Sequence, residues 1–183
     1  PDAITWTASA IGIYSAASTY RVQFEGVSIP FEAHKIWEAK VEPKCKLFVW
    51  LHLHRKALTA DHLVVHGWPN EEVWSLCNTE FETNEHLSRG CLLVRSVWGI
   101  VAGWSSIMPS SAPGFSTLDD WWNRNIEALD LSRWKHFGKV LIYVLLHVWK
   151  ERNNHIFNDK ATTFLEVAEG IVNELNSWRM AGF

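Results

Sequence analysis

Cysteine is scarce in this chain: Cys45, Cys77 and Cys91 are an odd number at irregular spacing. That excludes a disulfide framework and favours a reducing compartment, the nucleus or the cytoplasm. An excess of one charge is lacking too, since a net charge of −3 argues against an autonomous, strongly basic nucleic-acid binder. The longest apolar run, residues 140–146, follows Lys139 and is far too short to span a bilayer. No signal peptide is visible, and a start at Pro1 without Met is expected of a processed product or a piece of something longer. Hydrolase and transferase signatures are missing as well: there is no G-x-S-x-G, no phosphate-cradling glycine loop and no H-E-x-x-H. The pair Asp119 and Asp120 faces two directions on a helix and is explained by the helix dipole. No active site is expected, and the chain is read as a non-enzyme.

Tryptophan is abundant instead. Twelve are spread from Trp6 to Trp178, and each buries roughly 150–250 Å² when packed. They imply a wide aromatic core, with Trp50, Trp98, Trp134 and Trp149 expected inside.

Periodicity predicts a mainly α-helical fold with a small N-terminal β-hairpin. The opening ITWT, Gly12 and IYS suggest the hairpin, and Ser15 caps a helix carrying Ala16, Tyr20 and Phe24. A short helix over 31–38 should point Ile36 and Trp37 inward. Pro43 starts a helix with Leu47, Trp50, Leu51 and His54 on one stripe. Thr59 caps the next, which Gly67 ends as a C′ residue. A further helix spans 91–104, with Leu92, Val94, Val97, Trp98 and Val101 as its apolar positions. The Ser/Pro/Gly stretch SSIMPSSAPGFST then marks a subdomain boundary between 1–104 and 118–183. Beyond it, helices are predicted over 118–129, 132–157 and 163–180. The second of these carries Trp134, Phe137, Leu141, Val144 and Val148 on one stripe, broadened by Ile142, Leu145 and Trp149, so it belongs at the centre of a bundle. Arg152 and Asn153 are expected to cap or bind a loop.

The stretch VWSLCNTEFETNEHLSRGC, residues 73–91, has the spacing of a small zinc knuckle. Cys77, His86 and Cys91 suit tetrahedral zinc, with Thr83 or Asn84 opening the helix that presents His86. Trp74 stands where a C-x-x-C pair would place the first thiolate, and an indole cannot bind zinc. Either a carboxylate such as Glu71 or Glu72, or water, completes the set, or buried Trp74 replaces the metal as a staple. The segment is therefore read as a degenerate knuckle, its zinc absent or weakly bound. Among the other histidines, His52 and His54 face different sides of a helix. His62 and His66, four apart, are read as incidental.

Charge is uneven along the chain. Six Lys/Arg oppose three acids over 33–66, whereas five Glu face one Arg over 71–91. Lys35, Lys40, Lys44, Lys46, Arg55 and Lys56 interleave with Trp37, Phe48 and Trp50, a pattern able to hold phosphate and stack bases. The competing reading gives the aromatics to the core and leaves the lysines as a solvated face.

The string KIWEAKVEPKCKLFVWLHLHRKALTADHLVVHGWP, then SLC, ETNEHL and a last Cys before VRSVW, resembles the zinc-binding domain (zf-RVT) that follows the reverse transcriptase of plant LINE-type (non-LTR) retrotransposons. The early D-x-I-x-W and G-x-Y-S-x-x-S-x-Y and the late W-K-E-R-N-N-x-x-F match its flanks. The resemblance implies an accessory, non-catalytic region with a C-x-x-C…H…C knuckle, in which Cys77, His86 and Cys91 match the second to fourth ligands and Trp74 takes the first place. Two functions follow: a retrotransposon-derived domain co-opted as a protein-interaction module, or an accessory RNA- or DNA-binding module relying on the 35–56 basic face.

Overall fold

The computed structural model describes residues 33–68, 74, 76–106 and 117–181. The expected hairpin and the Ser15-capped helix lie outside the described residues, as does most of the expected boundary stretch. Among the described residues there is no strand, and the architecture is helical throughout. A 3₁₀ helix covers Ala33–Glu38. Six α-helices follow: α1 (Pro43–Leu53), α2 (Ala60–Val65), α3 (Leu92–Ser105), α4 (Leu118–Glu127), α5 (Leu131–Asn158) and α6 (Phe164–Met180). One wide π turn, His86–Gly90, lies between α2 and α3. None of these helices is long and apolar enough to cross a membrane.

Local chemistry explains most of the boundaries. Pro43 opens α1, where its missing N–H costs nothing. Asp130 accepts from the Arg133 amide at 2.9 Å to start α5, and Thr117 does the same for Asp120 at the head of α4. Thr163 and Glu166 form a reciprocal capping box at α6. At the end of α2, Gly67 adopts φ +72°. Its amide reaches the Val64 carbonyl, and the Trp68 amide reaches Leu63. This is the paired hydrogen bonding of a Schellman stop, with glycine at the one position that demands a left-handed backbone.

Helix α5 is the element around which most of the described helices pack. It packs against α1, α3, α6 and the π turn, and every side chain from Val140 to Leu145 is buried, as expected of a helix apolar around its girth. The Tyr143 hydroxyl donates to Glu42 at 3.1 Å, tying the residue before α1 to α5. Helix α3 in turn lies along α6, burying Val94, Val97, Trp98 and Val101 while Leu92 stays exposed. Residues 31–183 group as one unit.

The aromatic core differs from the expected one in detail. Trp98 and Trp134 are buried, but Trp50 and Trp149 are only partly so. The fully enclosed indoles are Trp74, Trp121 and Trp122. Trp122 meets Trp134 edge-on at 5.2 Å, and Trp121 meets Trp98 at 6.3 Å. Adjacent tryptophans both disappear because α4 is covered on two sides. Trp37 is 46% exposed, against expectation. At three residues per turn, Ile36 and Ala39 align on the inner face and Trp37 is turned outward. Helix α1 is also rotated from its expected stripe: it buries Cys45, Val49, His52 and Leu53, while Leu47 is exposed. Apolar side chains surround α1, so periodicity selects no face, and contact with α5 decides.

Candidate metal centre

The knuckle segment is a tight loop followed by a wide turn. The Trp74 amide donates to the Glu80 carbonyl at 2.9 Å, and the Trp74 carbonyl accepts from both Cys77 and Asn78. Asn78 takes a left-handed φ of +52°, a conformation Asn tolerates. Thr83 then starts the turn, its hydroxyl accepting from the His86 amide at 3.0 Å. The Cys91 amide closes on the His86 carbonyl at 2.9 Å, five residues back. In a regular α-helix, position 91 would sit about 140° around the axis from position 86. The wider turn returns Cys91 to the side of His86.

The result is a converging donor set. Cys77 Sγ lies 3.3 Å from His86 Nε2, and the ligand atoms of Cys77, His86 and Cys91 all lie within 4.8 Å of one another. Zinc bonds of about 2.0–2.3 Å set tetrahedral donor separations of about 3.3–3.8 Å, so only a small contraction is needed. Among the described residues this is the only such group of three. The donors fit a soft-to-borderline divalent ion, with one coordination place left over. Glu71 and Glu72, the carboxylates considered for that place, lie outside the described residues. Trp74 is buried with its ring edge-on to His86, centroids 5.0 Å apart. It packs on the edge of the His86 ring.

The two thiols sit in different environments. Burial pushes Cys77 up, but a hydrogen bond from the Thr79 hydroxyl at 3.1 Å and the backbone of Thr79 and Glu80 outweigh it, and the thiol comes down to about 7. Burial dominates at Cys91, which is pushed up to about 11 despite opposing contacts from the backbone of Val94 and Leu93. On the far side of the imidazole, His86 Nδ1 lies 2.8 Å from Glu80 Oε2.

A buried polar network anchors the loop to the helices. Glu82, four residues before His86, forms an ion pair with Arg152 of α5 at 2.9 Å, both side chains almost fully enclosed. The same carboxylate accepts from the Ala60 amide at the start of α2. Arg152 also donates to the Leu58 carbonyl and to Asn153, and its guanidinium lies over Trp149 at 4.9 Å. It binds a loop, as expected. Asn84 donates to Thr59, and Ser88 links the Asn84 carbonyl to His52. Within ETNEHL and WKERNN, Glu82, Asn84 and Arg152 therefore act as structural clamps. Glu80 and Ser88, and the hydrogen bond of Thr79 to Cys77, are not announced by any spacing in the sequence.

Among the described residues, the remaining sequence candidates form no second centre. His52 is buried within α1, and His54, just past its end, is half-buried. His66 is exposed and His62 half-buried, and they belong to no convergent group of three. The basic residues divide: Lys40, Lys44 and Lys56 are exposed and Lys35 is half-buried. Lys46 donates to the Trp37 carbonyl at 3.0 Å, and Arg55, at φ +53°, pairs with Glu85 at 3.0 Å. Of the aromatics between them, Phe48 packs on Trp149 and Trp50 on His54, leaving Trp37 outermost.

No curated protein and no solved structure is significantly similar to the chain. Residues 14–98, a little under half of it and including all three converging donors, match the zf-RVT family model, zinc-binding in reverse transcriptase.

Proposed function

We propose that the chain is a non-catalytic, retrotransposon-derived module of the zf-RVT type, of the LINE class, in which Cys77, His86 and Cys91 hold zinc weakly and the folded surface binds a protein partner. The observation that carries the metal reading is the convergence of two sulfurs and an imidazole nitrogen within 4.8 Å. Weakness follows from the ligand count: structural zinc takes four protein ligands, and an indole stands where one would be. The helical clamp around the loop allows the protein to fold without the ion. Zinc would bring the two thiolates and the imidazole into one coordination shell. Thr79 would stabilise the Cys77 thiolate, and Trp74 would keep water from one side.

On titration the protein should take up one zinc per chain and lose it to a chelator without unfolding. At a free zinc concentration of about 100 Kd, linkage gives about 2.7 kcal/mol, which raises the melting temperature by about 5–10 °C for a chain of this size. No uptake and an unchanged transition would mean that Trp74 has replaced the metal altogether.

For the partner, the last turn of α2 and the residue after Gly67 present apolar side chains to solvent, Val65 at 81% and Trp68 at 61% exposed. Exposed tryptophan is a common source of binding energy at protein interfaces. The second reading is nucleic acid, favoured by the exposed lysines. Replacing Lys40, Lys44, Lys46, Arg55 and Lys56 by alanine should leave nucleic-acid binding unchanged and weak if the first reading holds. A steep salt dependence in the native chain that these replacements abolish would establish the second.

A further inference from the structure

We infer that Glu80 is a positioning residue for the metal centre. Its carboxylate holds the His86 ring as the Nδ1–H tautomer, so that the Nε2 lone pair faces the space shared with Cys77 and Cys91. The inference rests on the metal reading above and adds a residue that the four-ligand pattern does not contain.

The geometry is specific. Glu80 Oε2 lies 2.8 Å from Nδ1 of His86, and the opposite ring nitrogen lies 3.3 Å from Cys77 Sγ. An ionised carboxylate only accepts hydrogen bonds, so the shared proton belongs to the ring nitrogen. The other nitrogen is then left with its lone pair on the ligand side. Glu80 is held in place by its own backbone, whose carbonyl accepts from Trp74. Trp74 in turn abuts the imidazole edge-on. Gly90 keeps the Nδ1 edge open, since a Cβ there would come within 3.3 Å of that nitrogen. The ring is 5% exposed and the carboxylate 67%, so Glu80 adds little to the core and its effect is concentrated on the ring. Carboxylates in this position orient metal-binding histidines and raise their basicity. In a centre with three protein ligands, each donor's orientation counts for more.

The test uses the full chain with Glu80→Ala, Glu80→Gln and His86→Ala. Zinc and cobalt affinities are measured by titration, and the ring tautomer of the metal-free protein by ¹⁵N NMR above the ordinary imidazole pKa of about 6.5. Glu80→Ala should weaken binding about 10–100-fold and move His86 away from the Nδ1–H form. Glu80→Gln, whose amide oxygen still accepts from Nδ1–H, should keep the tautomer and restore part of the affinity. Melting of the metal-free Glu80 variants should stay close to that of the parent. If zinc binds equally well without the Glu80 carboxylate and the tautomer is unchanged, the inference is overturned and the metal reading stands. If the native chain takes up no metal, both fall.

Discussion

Arg152→Ala should cost about 3–5 kcal/mol of folding stability, the range for removing one partner of a buried ion pair. The reason is the orphan it creates. Glu82 is almost fully enclosed, and without the guanidinium its charge has, among the described residues, only the Ala60 amide to lean on. Arg152 also loses its place over Trp149 and its contact with Leu58. In urea the midpoint should fall by roughly 1.5–2.5 M at a slope of about 2 kcal/mol per molar. A double replacement, Arg152→Leu with Glu82→Leu, removes both charges and should recover much of the loss, because apolar side chains often substitute for a buried pair without penalty. It should not recover all of it, since the Ala60 amide is left without its acceptor, a deficit of about 1–3 kcal/mol. A loss below about 1 kcal/mol for the single variant would sink the claim, since that is the scale of exposed pairs.

The second large effect is acid destabilisation through His52. Its Nε2 lies 2.7 Å from the Ser88 hydroxyl, whose own proton goes to the Asn84 carbonyl. The ring must therefore donate from Nε2 and keep Nδ1 bare, and a second proton on that buried nitrogen would have no acceptor among the described residues. Burial lowers the group to about 4 in the folded protein, only partly countered by the Asn84 backbone and the Glu85 charge. In the unfolded chain it returns to about 6.5. The unfolded state thus binds the proton more readily between these values. The stabilising contribution is complete above about pH 6.5, declines as pH falls, and levels off below about 4. At about 1.4 kcal/mol per pK unit, the difference amounts to about 3 kcal/mol. His136, also lowered by burial and by neighbouring Lys139, adds in the same direction. Chemical denaturation as a function of pH should show the decline, and His52→Gln should flatten it. An acid limb as steep in that variant as in the parent would assign the effect elsewhere.

These two side chains divide what the sequence could and could not reveal. Helices α4 to α6 were legible because their starts are local chemistry: Thr117, Asp130 and Thr163 lie within three residues of the amides they cap. The central place of α5 was legible from an apolar girth, and Gly67 from its position after α2. The candidate metal centre was legible in its residue types, since Cys77, His86 and Cys91 were singled out by spacing and their donor atoms converge.

Only the tertiary structure decided the rest. Glu82 and Arg152 are 70 residues apart and His52 and Ser88 are 36 apart, and no local pattern joins them. The rotation of α1, the outward turn of Trp37 and the burial of Trp74, Trp121 and Trp122 depend on which neighbours arrive, because an apolar side chain carries no direction of its own. The same holds at the centre itself. The sequence determined that two thiols and an imidazole lie near one another along the chain. A wide turn, an indole and the Glu80 carboxylate decided that their donor atoms converge, because orientation is set by packing and hydrogen bonds made in space.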